Sequence, residues 1–95
     1  MTICHMFFIM VPIGRKTIAE FGVSYPQSRT PLAVWEKIIS NTYYKNFNEL
    51  KLTFPSADYV CHQYTVFNIS GNKFRIISEI DYSANVVNVK RVYTH

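Results

Sequence analysis

Ninety-five residues hold one hydrophobic core and exclude a second domain of useful size, so residues 1–95 read as a single folding unit. Hydrophobic residues at 48% and aromatics at 16%, with three glycines and four prolines, exclude a globally disordered chain. Ten Lys plus Arg against six Asp plus Glu leave a formal charge of +4, which favours polyanionic partners without identifying one; an ordinary basic domain carries as much.

The first apolar run, residues 3–13, lacks a positively charged start, contains His5 and Pro12, and is too short to span a bilayer. Residues 4–13 therefore read as a strand, and Pro12, which cannot donate to a ladder, favours a place at a sheet edge. Cys4 and Cys61 are too few for a disulfide scaffold and nothing reads as a secretion route, so the cytoplasm is the expected compartment. Gly14 turns the chain into a short amphipathic helix over residues 15–25, with Ile18, Phe21 and Tyr25 at helical spacing and Gly22 as its weak point.

Thr30 followed by Pro31 predicts a helix start, Thr as cap and Pro at the first helical position, leading into the apolar stripe Leu32, Trp35, Ile38 and Ile39. Trp35 on that stripe reads as core. Asn46 or Asn48 caps a third short helix carrying Phe47, Leu50 and Phe54, and Pro55 stops it. Residues 63–69, 73–82 and 86–93 are β-branched or aromatic runs separated by Ser70-Gly71-Asn72 and Ser83-Ala84-Asn85, the pattern of two consecutive hairpins. Gly71 and Asn72 suit the positive φ of a tight turn, and Asn68 reads as part of the same hairpin chemistry. A strand, then helices, then an antiparallel meander make an α+β domain whose helices cover one sheet face.

On the uncovered face, alternation in the middle run separates Phe74, Ile76, Ile80 and Tyr82 from Lys73, Arg75, Ile77, Glu79 and Asp81. The charged side is the expected working surface. In the last run Val87, Val89, Arg91, Tyr93 and His95 share one side and Val86, Asn88, Lys90, Val92 and Thr94 the other. Periodicity thus leaves open which cation faces out. Cys4-His5 and Cys61-His62 are not expected to bind zinc, because adjacent strand residues point to opposite faces and the usual ligand spacing is missing.

Taken in order, Arg15-Lys16-Thr17-Ile18-Ala19-Glu20-Phe21, Pro31-Leu32 with Trp35, Asn46-Phe47-Asn48-Glu49-Leu50, Phe54-Pro55-Ser56-Ala57-Asp58, the run from Val66-Phe67-Asn68 through Gly71-Asn72-Lys73-Phe74-Arg75 to Ile77, and Thr94-His95 form one pattern. That pattern resembles the HigB branch of the RelE-like toxins of bacterial type II toxin–antitoxin systems. The family usually begins about where Met10 stands, so residues 1–9 read as an N-terminal extension. It usually continues past the Thr-His pair with an acidic, tyrosine-containing tail that this sequence does not have. The resemblance implies a RelE-like fold and an mRNA-cleaving endoribonuclease. It also implies action on translating ribosomes, restraint by a helix-turn-helix, HigA-like antitoxin, and no metal or other cofactor.

Cleaving RNA needs no metal in such a scheme, because the 2′-hydroxyl already lies beside the scissile phosphate; the protein supplies cations and proton transfer. Lys73 and Arg75 are the expected charge stabilisers, the alternative being solvated sheet charges with Arg75 paired to Glu79 or Asp81. Lys90 stands where the family's last strand commonly has a basic residue, which ranks it above Arg91; either is also a possible phosphate contact. His95, of the Thr-His pair, is the expected proton-transfer residue. Tyr64 and Tyr93 are candidates for stacking on a base or donating a proton. Two other readings stand beside this one: a non-catalytic RNA- or ribosome-binding domain of the same fold, and a protein-interaction module using the open sheet.

Overall fold

The computed structural model describes residues 9–94. The element order is β1 (Val11–Ile13), α1 (Arg15–Ser24), a 3-10 turn (Pro26–Ser28), α2 (Arg29–Ser40), α3 (Phe47–Thr53), β2 (Asp58–Val60), β3 (Tyr64–Ile69), β4 (Phe74–Asp81) and β5 (Val86–Thr94). The five strands form one sheet in the order β1-β5-β4-β3-β2, antiparallel except that β1 runs parallel to β5. The architecture is α+β, consistent with the RelE-like fold. Among the described residues no helix is long and apolar enough to cross a membrane.

The first strand does lie at an edge; among the described residues it spans Val11–Ile13, and residues 4–8 of the expected run lie outside the described residues. Val11 donates its amide to the carbonyl of Asn85, the turn residue that leads into β5, at 2.7 Å. Alternate amides of a strand point to opposite sides, so the donor that Pro12 lacks falls on the free edge. Gly14 follows at φ 94°, and a Cβ built there would stand 2.5 Å from the Val89 carbonyl oxygen. Glycine thus allows both the turn and the close seat of α1 on β5.

Helix α1 packs Ile18 and Phe21 on the core, with Tyr25 stacked on Phe21 at 4.6 Å. Its weak point, Gly22, is where the Arg29 side chain crosses and donates from Nε to the Gly22 carbonyl at 2.9 Å. The second helix does not start at Thr30. Pro26 begins a 3-10 turn that runs directly into α2, and Ser28 and Arg29 already have helical dihedrals, so no extended residue remains for Thr30 to cap from. Ser28 is the flanking residue, and its hydroxyl donates to the Tyr25 carbonyl at 2.6 Å. Pro31 falls in the first turn, where a missing amide costs nothing.

Asn46, not Asn48, caps α3: Asn46 Oδ1 accepts from the Glu49 amide at 3.0 Å, and Glu49 Oε1 accepts from the Lys45 amide at 2.8 Å. Strand β2 was not expected from the sequence. It joins β3 through Cys61 and His62, both at positive φ, closed by Gln63 N–H donating to the Val60 carbonyl at 3.2 Å. Gln63 and Lys73 lie in turns rather than in strands. Tyr82 lies beyond the end of β4, because Asp81 Oδ1 accepts from the Ser83 amide, the Ser83 hydroxyl and the Ala84 amide and turns the chain there. In the β3–β4 turn the positive-φ residues are Ser70 and Gly71, not Gly71 and Asn72.

The helices cover one sheet face. Trp35 meets Phe67 edge-on at 5.2 Å, Phe54 meets Phe67 at 5.0 Å, and Phe21 meets Phe74 at 5.7 Å. Ile69, Ile76, Val87 and Val89 complete this core, as the alternation in the sequence predicts. Ser78, also on the core face, satisfies its hydroxyl by donating to the Thr65 carbonyl at 2.9 Å.

Candidate nucleic-acid interface

The uncovered face is set by the strand register. Arg75 stands opposite Asn68 on one side and Tyr93 on the other; Ile77 stands opposite Val66 and Arg91. Arg75 and Arg91 are therefore diagonal neighbours on one face, about 7–8 Å apart by ordinary sheet geometry.

The position of Lys90 depends on a bulge. Ile77 pairs with Arg91 but the next residue, Ser78, pairs with Val89, so Lys90 is the extra residue with no opposite. Val89 before it is buried and Val92 after it packs against the core, while Lys90 and Arg91 are both exposed. Strict alternation would have sent one of them inward. The bulge instead presents two consecutive cations to the open side, answering the question that periodicity left open.

The acidic residues of this face are already engaged elsewhere. Glu79 Oε1 pairs with Lys90 Nζ at 3.1 Å, and Glu79 Oε2 accepts from Gln63 Nε2 at 3.0 Å. The Gln63 amide first, and then Lys90, hold the Glu79 carboxyl below its usual range. Asp81 is held low by the Ser83 hydroxyl and the Ala84 amide of its own turn. Burial pushes the neighbouring Tyr82 phenol up to about 12, so it stays protonated at neutral pH.

Arg75 pairs with neither Glu79 nor Asp81, which lie about 13 and 20 Å further along the same strand by its ordinary rise, and it makes no ion pair among the described residues. It is half-buried, and its Nε has no hydrogen-bond partner among the described residues. Of the other expected site residues, Lys73 is exposed in the β3–β4 turn and Tyr93 is exposed beside Arg75. Tyr64 is half-buried at the opposite end of the sheet, and His95 lies outside the described residues. Arg75, Lys90, Arg91 and Tyr93 thus share the open face.

Asn68 falls within the strand run expected from the sequence and not in the turn chemistry of Gly71 and Asn72. It lies within β3 beside Arg75, with Nδ2 donating to the Ser56 carbonyl at 3.2 Å. The signal was present, since Phe67 and Ile69 point into the core and the residue between them must point the other way. This arrangement, cations and an aromatic ring on an open sheet face with Glu79 paired to Lys90 and Asp81 bonded within its own turn, suits a ligand that carries phosphates and planar bases.

Residues 28–95 match the family HigB_toxin, described as the RelE-like toxic component of a toxin–antitoxin system. The chain belongs to this family. The matched span carries α2 through β5, and so every strand that builds the open face except the edge strand β1. Among its relatives is the mRNA interferase toxin HigB of Escherichia coli strain K12, 31% identical over 86 residues that cover 87% of this chain and 82% of that protein. The mRNA interferase HigB proteins of Escherichia coli O157:H7 and Shigella flexneri align with the same identity and coverage.

Proposed function

We propose that this HigB-family toxin is a ribosome-dependent, metal-independent endoribonuclease whose open sheet face cleaves mRNA. The relatives named mRNA interferases support the substrate, and one observation carries the assignment of the face: Arg75, half-buried and free of any carboxylate partner among the described residues, beside Arg91 and Tyr93. In the reaction the 2′-oxygen attacks the adjacent phosphorus, the bond to the 5′-oxygen breaks, and a cyclic phosphate and a free 5′-hydroxyl result. One group accepts the 2′-hydroxyl proton and one protonates the leaving oxygen.

Arg75 holds two non-bridging oxygens in its planar fork as negative charge builds on them. Lys90, released from Glu79 by the incoming phosphate, adds a second charge, and Lys73 contacts the backbone from the hairpin end. His95 transfers the proton, a role that an imidazole side chain suits. Arg91 binds a flanking phosphate, and Tyr93 and Tyr64 stack on bases. A net charge of +4 and a small sheet offer few contacts to free RNA, so the ribosome presents the strand. The toxin works in the cytoplasm, where translation occurs, and a HigA-like helix-turn-helix antitoxin restrains it.

Incubating purified protein with one mRNA, naked or engaged on translating ribosomes at physiological salt, tests this reading. Cuts are expected on the ribosome-bound message alone. Efficient cutting of naked RNA by nuclease-free protein contradicts ribosome dependence, and salt-sensitive RNA binding without cutting supports the non-catalytic alternative.

A further inference from the structure

Two polar atoms on the open face lack partners, and they belong to side chains that stand opposite each other. Asn68 and Arg75 are register partners across β3 and β4. Asn68 Oδ1 and Arg75 Nε are both buried from solvent, and neither has a hydrogen-bond partner among the described residues. One is an acceptor and the other a donor. Leaving both unmade costs free energy that a bond between the two would recover. Asn68 is the less free to rotate, because Nδ2 donates to the Ser56 carbonyl, which points Oδ1 away from Ser56.

We propose that Asn68 is a positioning residue for Arg75: its amide oxygen takes the Arg75 Nε–H when the terminal guanidinium nitrogens engage a phosphate. A guanidinium is planar, so fixing Nε fixes the plane in which the two outer nitrogens meet the oxygens. Asn68 touches no reacting atom. It acts by holding the fork in one orientation, and Ser56, before β2, anchors it in turn. The inference rests on Arg75 being the phosphate-stabilising group.

A double-mutant cycle on ribosome-bound mRNA, under single-turnover conditions, tests it. Asn68→Ala is expected to slow cleavage about tenfold with Arg75 present, the scale of a lost hydrogen bond to a charged group. In an Arg75→Lys background, which has no Nε–H to hold, it is expected to cost less than twofold. Equal losses in both backgrounds, or no loss in either, overturn the inference. Wild-type activity of Arg75→Ala overturns the site reading itself, and so separates that failure from the failure of Asn68. Asn68→Ser is run in parallel, and only variants that melt near wild type are compared. As a readout apart from cleavage, the Arg75 Nε–H signal in nitrogen-15 NMR is expected to exchange more slowly with water when a 3′-phosphorylated dinucleotide is added. That slowing is absent in Asn68→Ser; equal slowing in both proteins counts against the inference.

Discussion

Glu79 holds opposite tasks in one side chain: it satisfies Gln63 and occupies Lys90. Its carboxyl sits below the ordinary value of 4.5 in the folded protein, so its contribution to stability is present above that value and is lost as the pH falls through the lowered one. Wild type is therefore expected to lose its stability advantage over Glu79→Gln progressively as the pH falls below 4.5. Paired chemical-denaturation curves from pH 7 down to pH 3 check this. The same substitution removes the partner of Lys90. Binding of a labelled single-stranded RNA is then expected to tighten, with the log–log salt slope steeper by about 0.7, the value for one added phosphate contact. Fluorescence anisotropy at several salt concentrations measures both.

At the scale of elements, α3 depends on the reciprocal bonds between Asn46, Glu49 and Lys45. Asn46→Ala is expected to cost about 1 kcal/mol of unfolding free energy in urea melts. The β2–β3 turn runs the other way. Cys61 and His62 occupy left-handed backbone, at φ 56° and 52°, where side chains are strained. Cys61→Asn combined with His62→Gly is expected to stabilise by about 1 kcal/mol, and thermal melting detects it.

That turn also explains what could be read from the sequence. Helices α1 to α3 and strands β3 to β5 announce themselves through apolar periodicity and proline or asparagine punctuation. Strand β2 is three exposed residues followed by a turn without glycine or asparagine, so no local signal marks it. Thr30-Pro31 is a sound local cap signal that loses to the 3-10 turn set up by Pro26. The bulge at Lys90 is a tertiary event: the alternation argument assumes an unbroken period, and a break moves both cations to the open face. Arg75 is readable because its strand alternates cleanly, and the strand rise between it and Glu79 or Asp81 already sets both carboxylates out of its reach.

At the scale of the molecule, three helices among the described residues cover one face of a five-stranded sheet and leave the other to Arg75, Lys90, Arg91 and Tyr93. The core and the proposed chemistry thus occupy opposite sides of the same strands, and a change on the open face is expected to leave the packing around Trp35, Phe67 and Ile76 untouched. The most direct measurement is the rate at which Arg75→Ala cuts a message held on ribosomes, alongside its melting temperature. The account predicts a loss of about a hundredfold or more, the scale of removing one transition-state charge contact, with melting near wild type. Wild-type cutting by Arg75→Ala would contradict it, and so would a variant that fails to fold, since Arg75 would then be part of the structure.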